Sequence, residues 1–221
     1  MQWIWFKGFR AFWIPFLAGY AALLLLILFL PKKDGFLGIQ IPHSEWLNVM
    51  FSIITWLGDG LTCVLIVLLF LLFVSAGKGF CLLSAYLGGS AVVQFLKHVV
   101  FNEAPRPVKW LSMNNIIHEI PAGIDPHLWN SFPSGHSTTA ATLCFFIATQ
   151  VQSAGLRFFV GMVAIIAGYS RIYLYMHFPE DVLMGLTIGM LAIVPAWFYW
   201  KRFLDQTTIS WMNKPLLKWK N

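Results

Sequence analysis

Long apolar stretches, each ended by charged or turn-forming residues, constrain this chain more than any other feature of its sequence. An α-helix needs about 20 mostly apolar residues to cross roughly 30 Å of hydrocarbon. Six stretches approach this length, and they cover residues 12–30, 61–76, 80–100, 136–153, 157–176 and 182–200. The pattern predicts an all-α polytopic membrane protein with six transmembrane helices, organised as a single domain over residues 1–221.

The composition agrees with a lipid environment. Apolar residues make up 58% of the chain and charged residues 11%, whereas soluble domains carry about a quarter charged residues. The net charge is +6, but the basic residues lie near the ends of apolar stretches, a pattern typical of headgroup contacts and membrane topology. We therefore expect membrane lipids around the protein, no nucleic-acid partner and no obligate protein partner.

The basic residues also predict the orientation. Six spans place both termini on the same side, and cytoplasmic segments carry an excess of Lys and Arg. With the termini inside, nine of the 15 Lys and Arg residues are cytoplasmic and six lie on the other side. This distribution predicts cytoplasmic termini, and it places the polar loop between spans three and four, residues 101–135, on the extracytoplasmic side.

Three polar clusters, distant in the sequence, reach the same membrane face in this topology. Ionisable groups at a bilayer are energetically costly and often mark function. In a chain so poor in charge, their coincidence at one level indicates a functional site. In chain order the clusters contain Lys97 with Arg106, Ser134 with Gly135 and His136, and Arg171 with His177 and Asp181.

The cations and the predicted start of span four suit a phosphoryl group. Lys97, Arg106 and Arg171 form a cationic group, and guanidinium forks match phosphate oxygens. Ser134 occupies an N-cap position and Gly135 permits close backbone approach, so the helix start would direct N–H groups and a positive dipole at an anion. These five residues are the predicted phosphate-binding set.

The two histidines supply the acid–base chemistry. One imidazole can attack phosphorus while the other protonates the departing oxygen. Asp181 lies four residues after His177 and can accept its ring N–H, which leaves the other nitrogen as the nucleophile. We therefore predict His177 as the nucleophile and His136 as the general acid, although spacing alone also permits the reverse assignment.

Three motifs carry a resemblance to a known family. The patterns K-x8-RP (Lys97 to Pro107), PSGH (Pro133 to His136) and SR-x5-H-x3-D (Ser170 to Asp181) resemble the signature motifs of the type-2 phosphatidic acid phosphatases. That family also includes vanadium-dependent haloperoxidases and bacterial acid phosphatases. The resemblance implies a phosphohistidine at His177, a general acid at His136 and a supporting carboxylate at Asp181. It also implies phosphate binding by the five residues named above, and no metal or cofactor.

The first motif departs from the family pattern. Eight residues separate Lys97 from Arg106, whereas the family commonly has six. The two additional residues predict an extended helix end or a bulged loop at this point.

The expected function is removal of phosphate from a lipid phosphate or pyrophosphate at the periplasmic face of a bacterial inner membrane. Undecaprenyl pyrophosphate, phosphatidylglycerol phosphate, phosphatidic acid and lipid A phosphate all suit the family, and nothing in the sequence chooses among them. A lipid phosphotransferase would use the same residues. A transporter with a phosphate-binding mouth is the non-enzymatic alternative, but it would place more polar residues in the middle of its spans.

Overall fold

The chain folds as a bundle of helices. The computed structural model describes residues 2–116, 127–206 and 209–217, and within these ranges it contains nine α-helices and no strand. The helices are α1 (Gln2–Phe29), α2 (Lys32–Gly38), α3 (Glu45–Ile54), α4 (Gly60–Leu69), α5 (Ala76–Phe95), α6 (Pro107–Met113), α7 (Gly135–Gln150), α8 (Ala154–Tyr173) and α9 (Pro179–Gln206).

Side-chain caps explain where most of these helices begin. A serine hydroxyl accepts a backbone N–H at the start of α3, α5, α7 and α8, and the Asp59 carboxylate does so at the start of α4. Such caps satisfy N–H groups that have no partner within the helix. Pro107 and Pro179 begin α6 and α9, because proline suits the first helical position.

Helix α7 lies in the centre of the bundle. It packs against α5, α8 and α9, while α1 covers α8, and eleven of the sixteen residues of α7 are buried. Two glycines of α9 allow the closest approach. A Cβ atom at Gly185 would overlap the carbonyl oxygen of Ser134, and one at Gly189 would overlap that of Thr138. This contact holds the first turns of α7 and α9 together.

The outer surface and the helix lengths suit a membrane. Large side chains such as Phe29 and Leu191 are exposed. Four helical segments are long and apolar enough to span: Phe9–Phe29, Ala76–Val100, Ala154–Tyr173 and Pro179–Gln206. There is a fifth candidate span if the helical segments Glu45–Gly58 and Gly60–Val74, whose axes are bent by 54° at the break between them, form one span. Length and composition thus support four or five of the six predicted spans within the described residues, and α7, at the predicted fourth span, has sixteen residues.

The described part of the segment between α5 and α7 contains helical structure. A π-helical turn, Leu96–Val100, extends α5, and the short helix α6 follows it. The middle of the predicted loop, residues 117–126, lies outside the described residues.

One end of the bundle collects the polar clusters. The backbone N–H of Ser134 donates to the carbonyl of Asp181 over 2.9 Å, which joins the start of α7 to that of α9. The chain turns between α8 and α9 at residues 174–178, and the π-helical turn after α5 reaches the same region through Lys97. We call this region, formed by the starts of α7 and α9 and the ends of α5 and α8, the site end.

Candidate active site

The corner between α8 and α9 fixes the position of His177. The carbonyl of Arg171 accepts the backbone N–H groups of Met176 (2.9 Å) and His177 (3.1 Å), which ends α8 in a tight turn. Tyr175 adopts a left-handed conformation with φ of 56°, which is costly for a bulky residue and persists only where its surroundings hold it. Pro179 then starts α9. The imidazole of His177 is 1% exposed as a result.

The Asp181 carboxylate is held from three directions. Its Oδ2 accepts hydrogen bonds from the Ser131 hydroxyl (2.5 Å), the backbone N–H of Phe178 (2.9 Å) and Nδ1 of His177 (3.4 Å). A carboxylate with these donors keeps the His177 proton on Nδ1. The unprotonated nitrogen of the ring is then Nε2.

The surroundings favour a neutral His177. Burial lowers the pKa of His177 well below its usual range, and the nearby charges of Arg106, Arg171 and Lys97 lower it further. Burial and positive neighbours both disfavour the imidazolium form. At neutral pH the ring therefore has a free lone pair for attack on an electrophile.

The start of α7 lies beside this pair. The Ser134 hydroxyl accepts hydrogen bonds from the backbone N–H (3.3 Å) and the hydroxyl (2.9 Å) of Ser137. A Cβ atom at Gly135 would meet only Val93, at 3.7 Å, so the backbone there is accessible. The next side chain, His136, is about one-third exposed, and its Nε2 lies 3.8 Å from Oδ2 of Asp59.

Two of the predicted cations bind consecutive carbonyl groups. Lys97 Nζ donates to the carbonyl of Asn130, and Arg106 Nε donates to that of Trp129, each over 2.9 Å. Lys97 lies in the π-helical turn that continues α5, at the point where the eight-residue spacing predicts an extended helix end or a bulged loop. Despite the insertion, Lys97 and Arg106 remain close enough for their charges to interact. Burial lowers the pKa of the Arg106 guanidinium below its usual range.

The third cation, Arg171, has an unused donor. Its terminal nitrogen donates to the Thr55 hydroxyl over 2.7 Å. Its Nε is buried without a hydrogen-bond partner among the described residues. Buried polar groups in proteins are almost always paired, and a phosphate oxygen would satisfy this donor with a charge-assisted bond.

The structure brings the eight predicted residues to one end of the bundle. Three further side chains contact the predicted site residues and were not predicted from the sequence. Ser131 donates a hydrogen bond to Asp181, Thr55 accepts one from Arg171, and Asp59 lies near His136. Asp59 is the N-cap of α4, a position that does not mark a site residue, and no local pattern marks the other two. Among the described residues, no group of three or more His, Cys, Asp or Glu side chains is placed to hold a metal ion.

Two curated relatives match the chain over part of their length. It is 36% identical over 70 residues to phosphatidylglycerophosphatase B of Bacillus subtilis (strain 168), which covers 28% of this chain and 34% of that protein. It is 34% identical over 87 residues to YbjG of Escherichia coli (strain K12), named as a candidate undecaprenyl-diphosphatase, with 37% and 42% covered. The chain thus spans about a third to two fifths of the curated relatives it matches.

Two crystal structures share the fold over most of the chain. LpxE of Aquifex aeolicus superimposes with a TM-score of 0.64 at 26% identity, covering 77% of this chain and 97% of that one. A transmembrane PAP2-type phosphatidylglycerolphosphate phosphatase from Bacillus subtilis gives a TM-score of 0.53 at 22% identity, covering 89% and 98%. The second likeness concerns the fold alone.

The family itself follows from a longer match. The sequence model of the PAP2 superfamily matches residues 78–205, which is 128 of the 221 residues. This range contains the π-helical turn after α5, the start of α7 and the corner between α8 and α9. The chain is a helical membrane protein and belongs to the PAP2 superfamily.

Proposed function

We propose that this protein is a membrane lipid phosphatase that hydrolyses a lipid phosphate or pyrophosphate through a phosphohistidine at His177, without a metal or cofactor. One observation carries the proposal. The His177 imidazole is oriented by Asp181 at its Nδ1, and it lies near Arg171, whose buried Nε has no hydrogen-bond partner within the described part of the chain. A nucleophile beside an unsatisfied guanidinium donor suits attack on a phosphoryl group.

In the first step the lone pair of His177 Nε2 attacks phosphorus. The bond between phosphorus and the leaving oxygen breaks, and His136 gives its proton to that oxygen. The leaving oxygen is that of the lipid alcohol in a monophosphate and the bridging oxygen in a pyrophosphate. Lys97, Arg106 and Arg171 neutralise charge on the phosphoryl oxygens, together with N–H groups at the start of α7 beside Ser134 and Gly135. The products are the dephosphorylated lipid, or a lipid monophosphate from a pyrophosphate, and phosphohistidine.

In the second step water completes the cycle. His136, now neutral, accepts a proton from the water whose oxygen attacks phosphorus. The N–P bond breaks, inorganic phosphate leaves, and the electron pair returns to Nε2 of His177. Both histidines regain their initial protonation, so no oxidant, reductant or metal is consumed.

The proposal includes the arrangement in the membrane. The chain forms one domain, since buried residues from Phe9 to Ile193 share one apolar core. We place six spans, with α3 and α4 as one bent span and α7 as a short span shielded by α5, α8 and α9. The distribution of Lys and Arg supports a periplasmic site end in a bacterial inner membrane.

The substrate class follows from position. The site end lies where the apolar helices terminate, which is the depth of lipid headgroups, and the names of the matched relatives include a phosphatidylglycerophosphatase and a candidate undecaprenyl-diphosphatase. Undecaprenyl pyrophosphate, phosphatidylglycerol phosphate, phosphatidic acid and lipid A phosphate form the panel to be tested. A phosphotransferase would instead pass the phosphoryl group to a second lipid.

A panel of these lipid phosphates, assayed with purified wild type and His177→Ala, tests the proposal. We expect wild type to release inorganic phosphate from at least one lipid with EDTA present, and His177→Ala to lose about 10⁴-fold or more in kcat/KM. Brief incubation with lipid labelled in the phosphate should leave acid-labile label on wild type and none on the variant.

His98→Ala is the matched control, because His98 lies beside Lys97 but is exposed, and its side chain bonds that of Gln94 (3.0 Å). It should keep wild-type activity. Turnover by wild type without labelled protein, or loss of activity on chelation, would contradict the mechanism. A new phospholipid in place of free phosphate would identify a transferase.

A further inference from the structure

The break between α3 and α4 lies directly against the first turn of α7. A Cβ atom at Gly58 would overlap the carbonyl oxygen of His136, so only glycine permits this approach. The next residue, Asp59, has one carboxylate oxygen bound by the backbone N–H of Leu61 (2.8 Å). Its other oxygen lies 3.8 Å from Nε2 of His136. The carboxylate is therefore fixed on α4 with one oxygen directed at the imidazole.

Among the described residues, the other charged groups that act on His136 are positive. Arg171 at the end of α8, Arg106 before α6 and Lys97 after α5 act on it electrostatically, and His177 lies across the site. Burial disfavours a protonated imidazole at His136, and these positive groups disfavour it further. Asp59 provides the opposing negative charge.

The proposed reaction needs that proton. His136 must be an imidazolium when the lipid oxygen departs, although it sits among cations that bind phosphate. An imidazolium carries a proton on each ring nitrogen, so a carboxylate can hold one N–H while the other faces the leaving oxygen. The same device, a carboxylate on one ring nitrogen, operates at His177 with Asp181.

We propose that Asp59 is a positioning residue that orients His136 and favours its imidazolium form for its role as general acid. The inference rests on the proposed function and adds a fourth segment of the chain, outside the three motifs and outside residues 78–205, to the catalytic apparatus. Asp59 touches no reacting atom and acts through His136.

Asp59→Asn tests this role through the pH dependence of kcat/KM, measured on the lipid phosphate that wild type hydrolyses. Asparagine caps helices as well as aspartate does, so α4 keeps its start and only the charge is lost. We expect kcat/KM to fall as pH rises, because His136 loses its proton. This fall is the alkaline limb of the pH profile. Without Asp59 this alkaline limb should move to lower pH by about one unit, given that both side chains are about one-third exposed.

In Asp59→Asn, kcat/KM should be about tenfold lower than in wild type at pH values above the alkaline limb, and less than twofold lower at pH values below it. Asp59→Glu should restore most of the profile. Asp34→Asn, which removes an exposed carboxylate from the first turn of α2, should leave the limb unchanged.

An Asp59→Asn enzyme whose alkaline limb coincides with that of wild type would overturn the inference and leave the proposed function standing. Equal loss at every pH would also overturn it, because a purely structural defect has no pH dependence. If wild type releases no phosphate and carries no label with any lipid phosphate, the proposed function fails, and this inference fails with it.

Discussion

The two histidines of the site are held in very different ways. His177 is 1% exposed, and its Nδ1 lies 3.4 Å from a carboxylate that two further donors bind. His136 is about one-third exposed, and its Nε2 lies 3.8 Å from the carboxylate of Asp59. The first environment is buried and closely bonded, whereas the second is open and looser.

The difference suits the two roles in the proposed reaction. A nucleophile gains from a fixed direction, because small errors in attack geometry are costly. A group that serves first a departing lipid and then an incoming water needs room for both. We therefore expect the His177 side to tolerate little change, and the His136 side to show effects that depend on pH and leaving group.

The largest effect should come from Asp181→Asn. The neutral amide cannot hold the His177 proton on Nδ1 as a carboxylate does, so we expect a loss of about 10⁴-fold in kcat. Phosphate release from the lipid substrate measures it, with thermal unfolding as the check on folding. The control is Glu180→Gln, whose partly exposed carboxylate pairs with Lys32 (2.7 Å) and should matter less than threefold. A loss below tenfold in Asp181→Asn would show that His177 does not depend on its carboxylate.

His136→Gln should have a smaller effect that varies with the leaving group. On a natural lipid phosphate we expect a loss of about 10³-fold, the range of general acid catalysis. A lipid analogue with a nitrophenol leaving group needs no proton, so it should give one rapid burst of nitrophenol per enzyme. Turnover should then be slow, because water lacks its base, and phosphorylated His177 should accumulate. Equal losses on both substrates without a burst would remove His136 from the role of acid.

Ser131→Ala should have the smallest effect. It removes one hydrogen bond to Asp181 but no proposed contact to phosphate, so kcat should fall about tenfold while KM changes little. Ser84→Ala, at a hydroxyl bonded to the Cys81 carbonyl on α5, is the control. A rise in KM with unchanged kcat would indicate that Ser131 binds substrate instead of supporting Asp181.

Much of the fold could be predicted because apolar length is a local property. The starts of α4, α5, α7, α8 and α9 fall within a few residues of the predicted stretches. The number of membrane spans was harder to predict from the sequence, because α7 is short and is buried by its neighbours. Helix length alone does not indicate how such a segment meets the membrane.

The part of the candidate site that lies within the three sequence motifs could be predicted. Lys97, Arg106 and the residues around His136 and His177 could be predicted as site residues because each cluster stands out in an apolar chain. Thr55 and Ser131 were missed because their roles depend on packing between segments 116 and 50 residues apart. A single Ser or Thr gives no signal for such long-range pairing.

The turn from Thr55 to Gly58 has a consequence for which changes the chain can accept. Thr55 reaches Arg171 and Asp59 reaches towards His136, and a helical turn of fixed length separates the two. Inserting or deleting one residue there would rotate one side chain about a third of a turn relative to the other. Related sequences can therefore vary in residue type at Trp56 and Leu57, but the length of the turn should be invariant wherever both contacts are retained.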